Sequence, residues 1–327
     1  MRVAFIGVSH WHIPLYLDPA LEIAEAEIVG VSDPTLALAE AVAARAGCPA
    51  FTDERALLDT TRPEFVVVLG RHCDMAASAR SLIERRIPFA IEKPCAMTSA
   101  EIDDLAARAG AASVFAAVPF VFRDSRLLDT IRAAAPGEAF HYLAFKFVAG
   151  SVERYRATHC EWMLERRLAA GGCMLNLGVH FFDLARLLLP EPPRVVGAAL
   201  SNAIDGLDTE DHGVVVLRAG AASCTIETGY TFPAPHMTFD LHFSLRSDRH
   251  YFIATGTDQL EIFDLDRNRT VVQVPTTNPP YYPGFVRDAL RRAAAGEPPV
   301  AGLADMAAAL RLIEAAYALA PPLERRI

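Results

Sequence analysis

No stretch of this chain is long and apolar enough to suggest a membrane span. The longest candidate, Ala111 to Phe122, is interrupted by Ser113 and Pro119 and falls short of the roughly 18 residues a spanning helix needs. The apolar run Val3 to Val8 is too short for the core of a signal peptide and is broken at once by Ser9-His10-Trp11-His12. An excess of positive charge is missing as well. The formal net charge of −9 argues against nucleic acid or an anionic membrane as partner, because both select for basic patches. The six cysteines show no C-x-x-C spacing, so neither a disulfide framework nor a zinc ribbon is expected. Reduced thiols in a cytoplasm fit better. His10, His12, His72 and Cys73 fall in loops that could adjoin, but without ligand spacing typical of zinc, and no metal is expected. Internal repeats and disordered linkers are also absent. A soluble, cytoplasmic protein acting on a small molecule is the expectation.

What is present points to an α/β protein. At 327 residues, 52% hydrophobic and 22% charged, two domains are favoured over one, since single cores stop growing near 250–300 residues. Short β-branched or aromatic runs at Val3–Ile6, Ile28–Val31, Phe65–Leu69, Phe89–Ile91 and Val114–Val118 read as strands buried on both faces. Helical patterns lie between them at Leu36–Ala46, Glu54–Leu58, Met75–Arg85 and Ala100–Ala109, with Pro34 placed for a first helical position and Ser99 for a cap. This alternation predicts a doubly wound parallel sheet over residues 1–120. Beyond it, over 121–327, a helix (Asp124–Ala134) precedes strand-like runs from Ala139 to Val274, and the helices Phe285–Ala295 and Ala304–Leu319 close the chain. Several of these strands alternate, which predicts an open, mostly antiparallel sheet covered by helices on one face.

Ligands of parallel α/β sheets bind where the strands end at their carboxyl edge. Here those ends are Gly7-Val8-Ser9-His10, Ser32-Asp33, Gly70-Arg71-His72 and Glu92-Lys93-Pro94. Gly7 suits a tight turn into a helix N-terminus that could hold a pyrophosphate, and Asp33 stands about where a dinucleotide fold places an acid for the ribose. The Gly-x-Gly-x-x-Gly fingerprint is otherwise reduced, with Ser9 and His12 where the remaining glycines would stand. Ala169 to Leu189 reads as one amphipathic helix after Gly171-Gly172. Leu177, Leu184, Leu187 and Leu188 would face a core, and Asn176, His180 and Asp183 would share the other face.

Taken together, the βαβ start, Glu92-Lys93-Pro94, Gly171-Gly172-x-x-x-Asn176-x-Gly178-x-His180-x-x-Asp183, Thr209-Glu210-Asp211 and Glu314-Ala315-Ala316-Tyr317 resemble the Gfo/Idh/MocA family, named for glucose–fructose oxidoreductase, inositol dehydrogenase and MocA. The resemblance runs nearly end to end. It implies a Rossmann domain carrying NAD(P), then an α/β domain with an open sheet that often forms a homo-dimer or homo-tetramer interface. It implies oxidation of a sugar, cyclitol or sugar-acid hydroxyl, with Lys93 and His180 as the catalytic pair and Asn176 orienting the substrate. A histidine suits proton acceptance and a lysine suits the developing alkoxide. Pro94 would set the turn that aims Lys93, and X–Pro bonds can be cis. Cofactor contacts would come from Gly7, Ser9, His10, His12, Asp33, Gly70, Arg71, His72, Glu92 and Lys93, with NAD preferred over NADP because Asp33 repels a 2′-phosphate. Arg123, Tyr155, Arg156, His159 and Trp162 are candidate substrate residues. Asn176 and Ala170 depart from the family's usual Asp and Gly, as do Ser9 and His12. Two other outcomes belong to the same pattern: a glycosidase or lyase using NAD transiently, and a non-catalytic regulatory relative.

Overall fold

Strands too short and too apolar to face water on either side build the first layer of the molecule. The computed structural model describes residues 1–233 and 238–323. Its first part runs β1 (Arg2–Ile6), α1 (Ile13–Leu21), β2 (Glu27–Ser32), α2 (Leu36–Ala46), β3 (Ala50–Phe51), α3 (Glu54–Thr61), β4 (Phe65–Val68), α4 (His72–Glu84), β5 (Phe89–Ile91), α5 (Ser99–Ala112) and β6 (Ala116–Ala117). The six strands are parallel in the order β3-β2-β1-β4-β5-β6. The order in which strands are added therefore reverses between β1 and β4, the switch point at whose carboxyl ends such sheets bind ligands. Gly7 and Gly70 follow those two strand ends. Gly7 has φ +74, and a Cβ on it would lie 2.6 Å from the Gly70 nitrogen. Only glycine lets these two strand ends come so close.

Expectation and structure agree on this sheet, with local differences. Helix α1 and the two-residue β3 have no clear sequence signal. Two prolines mask α1: Pro14 stands in its first turn, where a missing N–H costs nothing, and Pro19 lies inside. Pro34 does not start a helix; α2 begins at Leu36 with Thr35 before it. Thr98, not Ser99, caps α5, in a reciprocal capping box with Glu101. Ser99 instead donates from its N–H and hydroxyl to Glu314, at 2.7 and 2.5 Å.

The second part comprises α6 (Arg126–Ala134), β7 (Phe140–Gly150), α7 (Glu153–Ala157), α8 (Arg166–Ala169), α9 (Cys173–Asn176), α10 (Val179–Leu188), β8 (Arg194–Ser201), β9 (His212–Ala219), β10 (Ala222–Phe232), β11 (Asp240–Ser247), β12 (His250–Thr255), β13 (Gln259–Asp264), β14 (Arg269–Gln273), α11 (Tyr282–Ala295) and α12 (Leu303–Leu319). Eight strands form one open sheet in the order β14-β13-β12-β11-β7-β10-β9-β8. Every neighbouring pair is antiparallel except β7 with β10. One face is buried under helices: Phe181 of α10 stacks on Phe145 and meets Phe243 edge-on. The last two helices return to the first layer. Tyr282, Val286 and Leu290 of α11 join the core of Val3, Phe5, Tyr16 and Phe65, and α12 packs on α5 and α10. Among the described residues no single helix is long and apolar enough to cross a membrane.

The stretch 169–189 is not one helix. Past Gly172 it is two helices, α9 and α10, with a bend of 48° between the 166–176 and 179–188 segments. The break between α8 and α9, before that bend, meets a partner far away in sequence. The buried Glu210 carboxylate accepts the N–H groups of Gly172 and Met174, at 2.9 and 3.0 Å, and the Tyr317 hydroxyl at 2.7 Å. The chain can approach it only without side chains: a Cβ on Gly172 would sit 2.0 Å from the Glu210 carbonyl oxygen, and one on Gly171 2.0 Å from the Tyr317 hydroxyl. Asn176 ends α9, and His180 lies in the first turn of α10. Leu187, expected in the core, is 37% exposed.

Candidate active site

A cavity of about 520 Å³ lies where the carboxyl edge of the first sheet faces the second layer. Each wall comes from a feature described above. Lys93 follows β5, Asn176 and His180 flank the bend, Trp11 and His12 precede α1, and Arg154 comes from α7. The Lys93–Pro94 peptide is cis.

Lys93 is buried. Its ammonium donates to the Asn176 carbonyl at 2.8 Å and to Asn176 Oδ1 at 2.5 Å. Burial pushes its pKa down to about 8; the Glu92 carboxylate, 4.0 Å away, opposes the shift, and Arg154 adds to it. Glu92 is wholly buried. It accepts from the Tyr16 hydroxyl and the Lys93 N–H, and faces His12 Nδ1 at 3.2 Å. Burial alone would raise its pKa, but His12 and Lys93 outweigh it and hold the carboxyl well below its usual range. Asn176 donates through Nδ2 to the hydroxyls of Tyr155 and Tyr230, at 2.7 and 3.0 Å. These two bonds use both amide hydrogens and so turn Oδ1 toward Lys93.

His180 is held between the edges of Phe120 and Phe122. Its Nε2 lies 3.4 Å from the Asn278 amide, and its buried Nδ1 has no partner among the described residues. Burial, reinforced by Lys93, pushes its pKa down to about 3, so the ring is neutral at pH 7.

The loop where fingerprint glycines are missing folds inward. His10, His12 and His72 are all buried. The His12 N–H donates to His10 Nδ1 at 3.1 Å, and His72 Nδ1 bonds to the Ala169 carbonyl at 2.8 Å as donor. Trp162 packs against His72 and His10. Among the described residues no group of three or more His, Cys, Asp or Glu side chains could hold a metal. Asp33 accepts the Ser9 and Thr35 N–H groups at 2.8 and 2.9 Å, which ties it to this loop.

The other expected substrate residues separate. Tyr155 is buried beneath Asn176. Arg123 forms a two-pronged ion pair with Asp183, at 2.8 and 2.6 Å, and a further one with Asp305; it is a strut, outside the cavity lining. Arg156 and His159 are exposed, and Arg156 pairs with Glu153. Arg71 is likewise exposed and paired with Asp74. Sequence reasoning missed Arg154. Glu153-Arg154-Tyr155-Arg156 offers two arginines, and only the orientation of α7 distinguishes them.

A dinucleotide fits this arrangement. The start of α1, which follows the Gly7 turn, carries no side-chain cap, and the cavity reaches its Pro14 and Leu15. A model described as the oxidoreductase family with an NAD-binding Rossmann fold matches residues 1–120. One described as the GFO/IDH/MocA C-terminal domain matches residues 144–249. No curated protein matches the chain. Among solved structures, GenD2 from gentamicin A biosynthesis in complex with NAD is 21% identical with a TM-score of 0.81, covering 97% of this chain and 93% of that one. Levoglucosan dehydrogenase in complex with NADH and levoglucosan is 17% identical, TM-score 0.82, covering 97% of each. UDP-N-acetylglucosamine 3-dehydrogenase GnnA from Acidithiobacillus ferrooxidans is 19% identical, TM-score 0.78, covering 98% of each. At these identities the likeness is one of fold.

The buried histidines predict acid sensitivity. His72 takes a proton near pH 6.5 when unfolded but only near pH 4 when folded, because burial disfavours its charge. Its contribution is intact above pH 6.5 and is lost as pH falls toward 4, amounting to about 3 kcal/mol there. His10 and His12, also lowered by burial, add in the same direction. Urea unfolding at pH 7 and pH 4.5 should show a steep loss of stability, reduced by about 2 kcal/mol in His72→Gln. An equal loss in both proteins would show that His72 is not buried in its neutral form.

Proposed function

The chain belongs to the GFO/IDH/MocA family of oxidoreductases with an NAD-binding Rossmann fold, and from that premise we propose that it transfers a hydride between NAD and a sugar, cyclitol or sugar-acid hydroxyl. The observation that carries this reading is the presence of Lys93, with its pKa lowered to about 8, and the neutral His180 on one cavity. That levoglucosan dehydrogenase and GnnA share the fold supports a sugar-like substrate.

Gly7, Ser9, Asp33 and Gly70 would hold the dinucleotide at the switch point, and NAD when bound supplies the hydride acceptor. The remaining chemistry belongs to side chains. As the hydride leaves the carbon, the hydroxyl proton must leave the oxygen. A group that loses its proton near pH 8 suits that task, whereas a ring that binds one only near pH 3 is a poor acceptor. Lys93 Nζ, as the amine, therefore takes the proton, and His180 Nε2–H or Nδ1–H donates a hydrogen bond to the same oxygen. This reverses the division of labour expected from residue type alone. Asn176 holds Nζ in place, and the phenylalanines around His180 exclude water.

The outer face of the eight-stranded sheet supports the proposed homo-dimer or homo-tetramer. Tyr142, Val214, Val216, Ile253 and Phe263 lie on that face, partly or fully exposed. Light scattering should give two or four chain masses, falling to one in a Tyr142→Asp/Ile253→Asp variant. A wild-type monomer at micromolar concentration sinks this assignment.

Substituting Lys93→Ala or His180→Ala should lower kcat by about 10²–10⁴-fold, with little change in NAD affinity. Oxidation by the parent should rise with pH and level off above about 8. A single inflection at or below pH 6.5 would return the proton to His180. Product formed without net NADH would point to transient use of the cofactor.

Asp33 should favour NAD, since its carboxylate accepts bonds from a free 2′-hydroxyl and repels a 2′-phosphate. Calorimetric titration with both dinucleotides tests this, and tighter binding of NADP would exclude that role.

A further inference from the structure

Arg154 is a cation without a counter-charge. Among the described residues no carboxylate lies within ion-pairing distance of its guanidinium, and its Nε is buried without a hydrogen-bond partner. One Nη donates to the Tyr155 hydroxyl at 2.8 Å. The guanidinium carbon sits over three rings, 5.4 Å from the centre of Trp11, 4.7 Å from Tyr155 and 5.1 Å from Tyr230. Ring faces attract a cation and fix its orientation, but they offer no acceptor for the N–H fork.

The cavity around it is equally one-sided. Its lining contains Lys93 and Arg154 and not one Asp or Glu. In a chain of net charge −9, this is not a reflection of composition. Lys93 has Glu92 behind it at 4.0 Å, so Arg154 carries the uncompensated charge. Holding an unpaired arginine in a partly desolvated wall is costly unless an anion arrives to meet it, and a planar carboxylate meets the guanidinium fork with two parallel bonds. The position is also close to the proposed chemistry. Arg154 bonds Tyr155, Tyr155 accepts from Asn176, and Asn176 accepts from Lys93. An anion on Arg154 therefore lies two side chains from the Lys93 nitrogen proposed to take the hydroxyl proton.

We propose that Arg154 binds a carboxylate of the substrate, so that the cavity selects hydroxy acids of the aldonic or uronic kind over neutral sugars. This deepens the oxidoreductase reading and rests on it for the identity of the second, reacting group. The guanidinium is the specificity residue, and Tyr155 and Tyr230 position it.

The test is calorimetric titration of the NAD-saturated protein with D-gluconate and D-glucuronate, each against its neutral counterpart, D-sorbitol and D-glucose. Acids should bind at least about tenfold more tightly, the range expected when a charged hydrogen-bonding partner is lost. Arg154→Met should abolish the preference and Arg154→Lys should keep part of it, both with NAD affinity unchanged. Equal binding of acids and neutral sugars to the parent protein, or no binding of either acid, overturns the proposal without recourse to a variant. So does an Arg154→Met protein that retains the acid preference but binds NAD tenfold more weakly, which would assign the arginine to the cofactor phosphates. The underlying reading fails separately: acids that bind through Arg154 yet yield no NADH would leave the anion site standing and remove the dehydrogenase. Oxidation of neutral sugars with no preference for acids would do the reverse.

Discussion

A carboxylate taken entirely out of water sets the constraint that organises this site. Glu92 has no exposed surface, and an ion in that position costs several kcal/mol unless partners surround it. Its partners come from separate parts of the chain: Tyr16 from α1, His12 from the loop before it, and Lys93 from its own strand end. Lys93 then reaches across to Asn176, which is oriented by Tyr155 and Tyr230. One buried charge thus ties the first sheet to the second. Lys93 on the cavity wall is held between the glutamate it neutralises and Asn176.

Glu210 shows how differently a second buried carboxylate can behave. It meets two backbone N–H groups and a tyrosine hydroxyl, all neutral donors. Burial pushes its pKa up despite them, whereas His12 and the Lys93 ammonium hold Glu92 low. The two acids therefore do different work. Glu210 holds the start of α9, the short helix that ends at Asn176, and Glu92 tunes the lysine that Asn176 meets. Neither operates alone, because Lys93 requires both its charge partner and its Asn176 acceptor.

Much of this was legible in the sequence, in proportion to how local the cause is. The parallel strands and most flanking helices follow from apolar runs and periodicity. The strand-end motifs followed from the topology they imply. Where the cause is remote, sequence reading fails. Nothing between Ala169 and Leu189 states that Glu210 will hold the start of α9 or that the chain breaks after Asn176, so the apolar periodicity there reads as a continuous helix. Arg123 looked like a ligand residue because its partners Asp183 and Asp305 are distant in sequence. Arg154 and Arg156 differ only in which side of a five-residue helix they occupy. The inward turn of His10, His12 and His72 could not be foreseen either, since Trp162, which packs on two of them, lies some 90 residues or more away.

The return of α11 to the first sheet also bears on how the protein is made. Tyr282, Val286 and Leu290 complete the core that contains Val3, Phe5, Phe65 and Val67. During synthesis that face of the sheet is translated early, yet its cover emerges only after the entire second sheet. An apolar strand surface left open for so long is a hazard for association between nascent chains. The N-terminal sheet thus keeps part of this face open until α11 has been made.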